Sequence, residues 1–188
     1  GKGDPAMYFS FKKYTLIGIV FSMTAGVLLH FLYEWTGRNP VVGAFSPVNE
    51  SVWEHLKLLF FPCLIFFLWE YKKDRRHGGG LINRQIRGLL LGLLLILCGY
   101  YTYSGILGHD LVPADILLFV GSVLITYLYG CRGYAQHPGD FSLSAPFLLI
   151  LLVLLASFIL FTYFPIHIPL FMDPQTFTFG ISSGLLTY

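Results

Sequence analysis

The residues of this chain that could do chemistry are histidines and carboxylates placed where long apolar stretches begin or end. The stretch "SPVNESVWEHLKLLFFP", residues 46–62, puts several polar groups at the entrance of a hydrophobic run. His30 lies inside the preceding run, and "GHD" at 108–110 and "HIPLFMD" at 167–173 add further such groups. The candidate metal ligands are His30, His55, His109, His167 and Asp173, and the candidate catalytic groups are Glu50, Ser51, Glu54 and Asp110.

Histidine and carboxylate together are the ligand set that zinc and other divalent transition metals take when one position stays open for water. A metal in such a site lowers the pKa of bound water toward neutrality, and a nearby carboxylate can act as the base. The sequence contains no H-E-x-x-H motif, so a metal-free proton-transfer or cation-binding site stays open as an alternative. It also contains no nucleophile elbow, phosphate-binding glycine loop or nucleic-acid module, so nucleic acid is not expected as a partner.

Several of these residues also have structural explanations. Ser51 and Glu54 fit the S-x-x-E capping box of a helix N-terminus. Alternatively, Glu50, Glu54 and Lys57 fit an exposed salt-bridged rim. Asp115 suits the start of a helix, where negative charge is favourable. His30 is harder to explain in this way, because an ionisable side chain within a spanning segment is costly and normally faces the bundle interior.

The elements that must position these groups are membrane-spanning helices. The chain has 188 residues, of which 55% are hydrophobic and 12% charged, with a mean hydropathy of +0.68. Residues 1–6 resemble a tag remnant, and 7–188 are expected to form one all-α, polytopic integral membrane bundle. A span needs about 20 mostly apolar residues, and five runs meet that requirement: 14–35, 52–71, 87–107, 113–133 and 143–165.

Three further features shape the expected bundle. Pro62 falls inside the second run, where it removes a helical hydrogen bond and should kink the helix, so neighbouring helices have to satisfy the freed carbonyl. Gly88 and Gly92 form a GxxxG pair that predicts close packing against another helix, or between two copies of the chain. The tail after residue 165 is apolar and short, and is expected to fold back over the bundle as a cover or re-entrant segment, with a truncated sixth helix as the alternative.

The distribution of basic residues predicts the orientation. The loop after the second run carries Lys72, Lys73, Arg75, Arg76, Arg84 and Arg87 against one acid, Asp74. The positive-inside rule makes this loop cytoplasmic, which places the N-terminus inside and the C-terminus outside a cell membrane. All four polar segments then meet at the extracytoplasmic face.

Two motifs carry a resemblance. "NESVWEHLKL" and "HIPLFMDP" resemble those of a family of small prokaryotic integral-membrane proteins known as a domain of unknown function, over nearly the whole chain from Met7. That resemblance implies a membrane protein and no particular activity. The spacing of Ser51 and His55 is also similar to that of the alkaline-ceramidase-like membrane hydrolases, in which a serine precedes a zinc-binding histidine by four residues. This chain departs from them, since it has about five spans and lacks their later HxxxH pair.

The leading functional hypothesis is a metal-dependent hydrolase that acts at the extracytoplasmic face on a lipid or cell-envelope molecule. One alternative is a transport or solute-binding membrane subunit that holds a small molecule in the same outer pocket. A second alternative is a structural membrane protein without catalysis. The expected partners are membrane lipid and a lipid or small-molecule substrate, with oligomerisation through Gly88 and Gly92 left open.

Overall fold

The computed structural model describes residues 5–73, 78–136 and 144–181, and these residues are helical apart from loops and one isolated bridge, Met172 with Phe179. The tag-like residues 1–4 and the centre of the basic loop, 74–77, lie outside the described residues. The elements are α1 (Pro5–Trp35), α2 (Pro40–Gly43), α3 (Val52–Lys73), α4 (Gly78–Leu107), α5 (Val112–Gln136), α6 (Ala145–Tyr163) and a 3-10 turn (Pro169–Phe171).

Five of these helices are long and apolar enough to cross a membrane, which confirms the predicted fold class: Tyr14–Trp35, Val52–Lys73, Ile82–Leu107, Val112–Gly130 and Ala145–Tyr163. The predicted boundaries differ most at the third span, which begins at Ile82 rather than at residue 87. Arg84 and Arg87 therefore lie on the first turns of that span, where long basic side chains can reach the membrane surface. The chain is a multi-pass membrane protein.

The third helix, α3, is the centre of the bundle. About 67% of its most apolar window is buried, against 22% or less for the other four spans. It packs against α1, α4 and α6, while α5 packs against α4 and α1. Leu59, Phe60, Cys63 and Phe67 are completely buried along its length. The outer helices keep apolar side chains exposed, as expected for surfaces that contact lipid.

The GxxxG pair packs α4 against α5 within one chain. A Cβ atom at Gly88 would lie 2.3 Å from the carbonyl oxygen of Thr126, and one at Gly92 would lie 2.9 Å from that of Ser122. Since Ser122 and Thr126 are themselves small residues four apart, the two backbones approach closely. The close packing predicted from the sequence is confirmed, and this face is filled by α5 rather than left open to a second copy.

Pro62 is accommodated inside α3 by the neighbouring helix α1. The carbonyl of Leu58, four residues earlier, has no helical N–H to accept from because proline has none. That oxygen faces Gly26 of α1, where a Cβ atom would lie only 2.9 Å away. The glycine therefore lets α1 approach the freed carbonyl closely.

The tail folds back over one end of the bundle, which we call the site end. The C-termini of α1, α4 and α6 and the N-termini of α3 and α5 meet there. The tail is fixed by hydrogen bonds from Asn49 Nδ2 to the carbonyl of Gly180 (3.0 Å) and from the Ile181 N–H to the carbonyl of Thr162 (3.0 Å). Residues 164–181 contain only the 3-10 turn, so the fold-back prediction is confirmed and no sixth helix forms in this range.

Candidate functional site

Three side chains from the last turns of α1 and the start of α3 form a cluster, which we call the triad: His30, Glu50 and His55. Each offers one ligand atom, and these atoms all lie within 4.8 Å of one another. Glu50 Oε2 is 3.3 Å from His55 Nε2, and the two imidazole rings have centroids 5.3 Å apart. The arrangement is a two-histidine, one-carboxylate set at the site end of the bundle.

The beginning of α3 sets the position of Glu50 and His55. The Asn49 side chain accepts a hydrogen bond from the Ser51 N–H (3.0 Å), which turns the chain into the helix. Ser51 Oγ lies 3.4 Å from the N–H of Glu54, in the manner of an N-cap. The reciprocal bond of a capping box is replaced, because the Glu54 carboxylate accepts from the N–H of Val48 (3.1 Å) instead.

The environment of His55 is unusual, because both ring nitrogens face acceptors. Its Nδ1 lies 3.0 Å from the carbonyl oxygen of Ser51, and its Nε2 faces the carboxylate of Glu50. A carbonyl oxygen can only accept, so Nδ1 must carry a proton. Nε2 then either carries a second proton, which makes the ring a cation, or turns a lone pair toward a cation shared with Glu50.

Glu50 is the member of the triad nearest to water, with its side chain 43% exposed. Its hydrogen bond with His55 lowers the pKa of the carboxyl group below its usual value, and this outweighs the opposing effect of burial. Glu50 is therefore an anion at neutral pH, which is the form that can bind a metal or stabilise an imidazolium.

His30 contributes a polar atom that lacks a partner. Of the three buried side-chain atoms without a hydrogen-bond partner in the described residues, only the Nδ1 of His30 belongs to the triad. An unsatisfied buried polar group costs about 1–3 kcal/mol. Its presence next to an imidazole and a carboxylate fits a position where a bound ion or water completes the site.

The triad lies between two cavities that share Glu50. The wide cavity has a volume of about 590 Å³. It is lined by His30, by other residues at the end of α1, by residues 47–50 and by polar residues of the tail. The narrow cavity, about 110 Å³, lies between α3, α4 and α5, and His55 belongs to its lining. Its floor is apolar (Leu58, Ile96, Leu118 and Phe119), and its polar residues include Tyr100, Asp110 and Asp115.

The other predicted catalytic residues have different positions. Asp110 is exposed and lines the narrow cavity together with Glu50 and His55. Ser51 is buried, and its carbonyl and hydroxyl are engaged in the start of α3. Glu54 is 2% exposed and lines neither cavity. The structure thus keeps Asp110 near the triad and gives Ser51 and Glu54 structural contacts.

The remaining predicted metal ligands are also separated from the triad. His109 is exposed, and its ring lies 3.0 Å from the carbonyl of Asp110. His167 is exposed and packs on Phe179, with ring centroids 4.6 Å apart. Asp173 lines the wide cavity, but its carboxylate accepts from the backbone N–H groups of Gln175 (2.8 Å) and Glu50 (3.3 Å). Asp173 therefore fixes the tail against the segment that carries Glu50.

Glu54 and Lys57 form a buried ion pair, so the interpretation of these residues as an exposed rim is wrong. Lys57 Nζ lies 2.7 Å from Glu54 Oε2, and the two side chains are 0% and 2% exposed. The ammonium group also donates to the carbonyl of Gly43 (2.9 Å) and to Thr162 Oγ1 (2.5 Å). This pair joins α3, α6 and the α2 segment, which are distant in sequence.

Sequence reasoning missed Lys57 and Thr162 as members of a polar centre. The available signal was the lysine itself, since a single cation more than one turn inside a spanning helix requires a buried partner. Nothing in the local pattern indicated Thr162, which is 105 residues away along the chain. Asp115, interpreted as a helix-start residue, does accept a hydrogen bond from the hydroxyl of Tyr103 and also lines the narrow cavity.

Comparison with protein families assigns the chain. The sequence model of a family of unknown function, DUF6512, matches residues 6–181, so the chain belongs to that family. No curated protein and no solved structure matches the chain. The predicted membership of an uncharacterised family is therefore confirmed, and the family indicates no activity.

Proposed function

We propose that this member of the DUF6512 family binds a divalent transition metal at the triad and uses it to hydrolyse a substrate at the membrane surface. The observation that carries the proposal is the placement of His30, Glu50 and His55 within 4.8 Å of one another, with both nitrogens of His55 facing acceptors. Two histidines and one carboxylate, with a remaining position for water, form a common catalytic metal set.

The distances within the triad support this choice. Two ligands bound to zinc at about 2.0–2.1 Å in a tetrahedral arrangement are separated by about 3.3 Å, which is the observed distance between Glu50 Oε2 and His55 Nε2. The hydrogen bond from Nδ1 of His55 to a backbone carbonyl is the outer contact that normally orients a metal-binding histidine. The ligand atom of His30 lies within 4.8 Å of the other two, so it would have to move by up to about 1.5 Å to reach the same separation.

The chemistry supplied by such a metal is a water molecule acidic enough to lose a proton near neutral pH. Asp110, exposed at the narrow cavity, is the group we assign to take that proton. Water would then add across the bond between the carbonyl carbon of an ester or amide and its leaving oxygen or nitrogen, and Asp110 would return the proton to that leaving group. The positive-inside argument supports an extracytoplasmic position for this reaction.

The first experiment is elemental mass spectrometry of protein purified in detergent without chelators. We expect near-stoichiometric zinc, iron or manganese in the wild type, and its loss in His55→Ala and Glu50→Gln. The matched controls are His109→Ala and His167→Ala, which remove exposed histidines outside the triad and should leave the metal content unchanged.

Two results would count against the proposal. Wild-type protein that stays metal-free after incubation with each ion and desalting would remove the metal from the mechanism. Equal loss in the His167→Ala control would show that metal binding does not depend on the triad. If metal is bound as expected, a screen of ester and amide substrates with the wild type and Asp110→Asn tests the hydrolytic step, and equal rates for the two would refute the role of Asp110.

A second candidate function is the binding or transfer of a cation or small solute. The observation that favours it is that Glu50 lines both cavities, so the triad lies between a wide polar space and a narrow one. This function predicts stoichiometric ligand binding without turnover, and a dependence of ligand flux into proteoliposomes on Glu50. Hydrolysis by the purified protein alone would favour the first candidate.

A further inference from the structure

The two cavities beside the triad differ in chemistry. The wide cavity is lined mainly by polar side chains, among them Tyr33, Glu34 and Arg38 of the α1 end. The narrow cavity is lined by aliphatic and aromatic side chains together with a smaller number of polar ones. Water is therefore expected to occupy the wide cavity, and a hydrocarbon group is more stable in the narrow one.

The narrow cavity reaches a residue on the outer face of α5. Val112, the first residue of α5, belongs to its lining and is 68% exposed. The neighbouring Ile116 and Leu117 are 57% and 71% exposed, so the outer face of α5 next to Val112 is apolar. A lipid molecule beside α5 therefore meets Val112 without crossing a polar surface.

The depth of the narrow cavity suits the upper part of a lipid. Leu58 in its floor lies six residues after Val52, the first residue of α3, and so about 9 Å further along the helix axis. The boundary between headgroups and acyl chains extends over a similar depth of about 5–10 Å. A cavity near 110 Å³ is smaller than an engineered cavity of roughly 150 Å³ that binds benzene, so it has room for only the first few carbons of a chain.

We infer that the narrow cavity is the substrate side of the site, and that it admits the ester-proximal end of a membrane lipid through the opening at Val112. The rest of the acyl chain stays in the bilayer, while the wide cavity supplies water and receives the polar product. This inference rests on the proposed hydrolytic function for its meaning, but the binding mode that it describes can be tested without metal or turnover.

The test is photolabelling in nanodiscs made of phosphatidylcholine and phosphatidylglycerol, with a tracer phospholipid that carries a diazirine near the ester end of one chain. Leu58 and Ile96 are each only 8% exposed, so a lipid reaches them through the cavity and not across the outer surface. We expect label on both residues after illumination and peptide mass spectrometry. Label confined to outward-facing positions such as Leu117 would overturn the inference.

Two variants make the test specific. Val112→Trp places an indole at the opening and should lower the labelling of Leu58 and Ile96 by roughly tenfold, because the space is closed. Ile116→Trp adds the same side chain one turn further along α5, away from the cavity lining, and should leave labelling unchanged. Both positions are exposed, so neither change disturbs the buried packing. Equal labelling in the two variants would refute entry at Val112.

Two further arms separate the alternatives. Labelling of chelator-treated protein should persist, because the lipid site does not require the metal. Untreated protein that stays metal-free by elemental analysis but is still labelled at Leu58 and Ile96 would support this inference while refuting the proposed function. A water-soluble short-chain ester that carries the same diazirine tests the other source of a hydrocarbon group. Labelling of Leu58 and Ile96 by that ester but not by the phospholipid would overturn the assignment to a membrane lipid.

Discussion

Removal of Lys57 should destabilise the protein strongly at neutral pH and much less at acidic pH. In Lys57→Met the carboxylate of Glu54 keeps two donors, the N–H of Val48 at 3.1 Å and the hydroxyl of Thr162 at 2.9 Å, but loses its cation. Breaking one side of a buried ion pair costs about 3–5 kcal/mol. Methionine fills a similar volume, so most of this cost is electrostatic.

The pH dependence follows from the second way in which the variant can fold. Instead of staying charged, the carboxyl group can take up a proton, which costs an ordinary glutamic acid in water about 3.7 kcal/mol at pH 7 and about 1 kcal/mol at pH 5. The loss in the free energy of unfolding of Lys57→Met relative to wild type is therefore limited to about 4 kcal/mol at pH 7. It falls toward about 1 kcal/mol at pH 5.

The measurement is a sodium dodecyl sulfate titration of the detergent-solubilised protein, followed by tryptophan fluorescence at both pH values. The double variant Glu54→Gln with Lys57→Met removes both charges. Its free energy of unfolding should lie within about 1 kcal/mol of that of wild type. The exposed pair of Glu34 and Arg38, 3.0 Å apart, supplies a matched control. Glu34→Gln should cost less than about 1 kcal/mol.

Two results would refute this reasoning. If Lys57→Met is no less stable at pH 7 than Glu34→Gln, the buried pair carries no net charge interaction. If its deficit is the same at pH 5 and pH 7, the cost comes from lost packing around Lys57 rather than from an uncompensated carboxylate.

Three other changes test separate parts of the structure. Gly88→Ala should destabilise the protein by about 1–3 kcal/mol, because its Cβ atom would overlap the α5 backbone, whereas Gly105→Ala meets no atom within 4 Å and should be neutral or stabilising in the same titration. Because the hydrogen bond within the triad lowers the pKa of Glu50, its contribution to stability is present above the usual glutamate value and is lost as pH falls through the lowered value. The advantage of wild type over Glu50→Gln should therefore shrink as pH falls below the usual glutamate range, and a constant difference would contradict it. Asp173→Ala removes the acceptor that fixes the tail, so chymotrypsin should cleave several-fold faster after Phe177, which is 70% exposed; an unchanged rate would show that other contacts fix the tail.

The helical architecture could be predicted from local patterns. Runs of about 20 apolar residues have few alternatives to spanning helices, because a backbone in hydrocarbon must satisfy its own hydrogen bonds. Close helix contacts were likewise predicted at Gly88, Gly92 and Pro62, because small residues and freed carbonyls affect packing wherever they occur. What these patterns could not specify was the partner, and the glycine pair proved to contact α5 of the same chain.

The site was predictable only in part. The energetic cost of placing ionisable side chains in or near a membrane made His30, Glu50 and His55 candidates. The structure brings these three residues together. His109 and His167 have the same chemistry and reach the same end of the bundle, yet they remain exposed outside the triad. Residue type and membrane side therefore narrow the candidates, while membership of a site a few ångströms wide depends on how the loops and the tail are fixed.

By itself, the sequence determined that this protein is a bundle of five apolar helices, with four of its six histidines and most of its unusual carboxylates predicted at one end. It did so because hydropathy and helical periodicity act over a few neighbouring residues. Only the tertiary structure decided that Glu54 serves Lys57 and not the triad, that Asp173 holds the tail, and that Glu50 lies between two cavities. Those roles depend on contacts between residues far apart in the chain, whose geometry is set by the packing of the whole bundle.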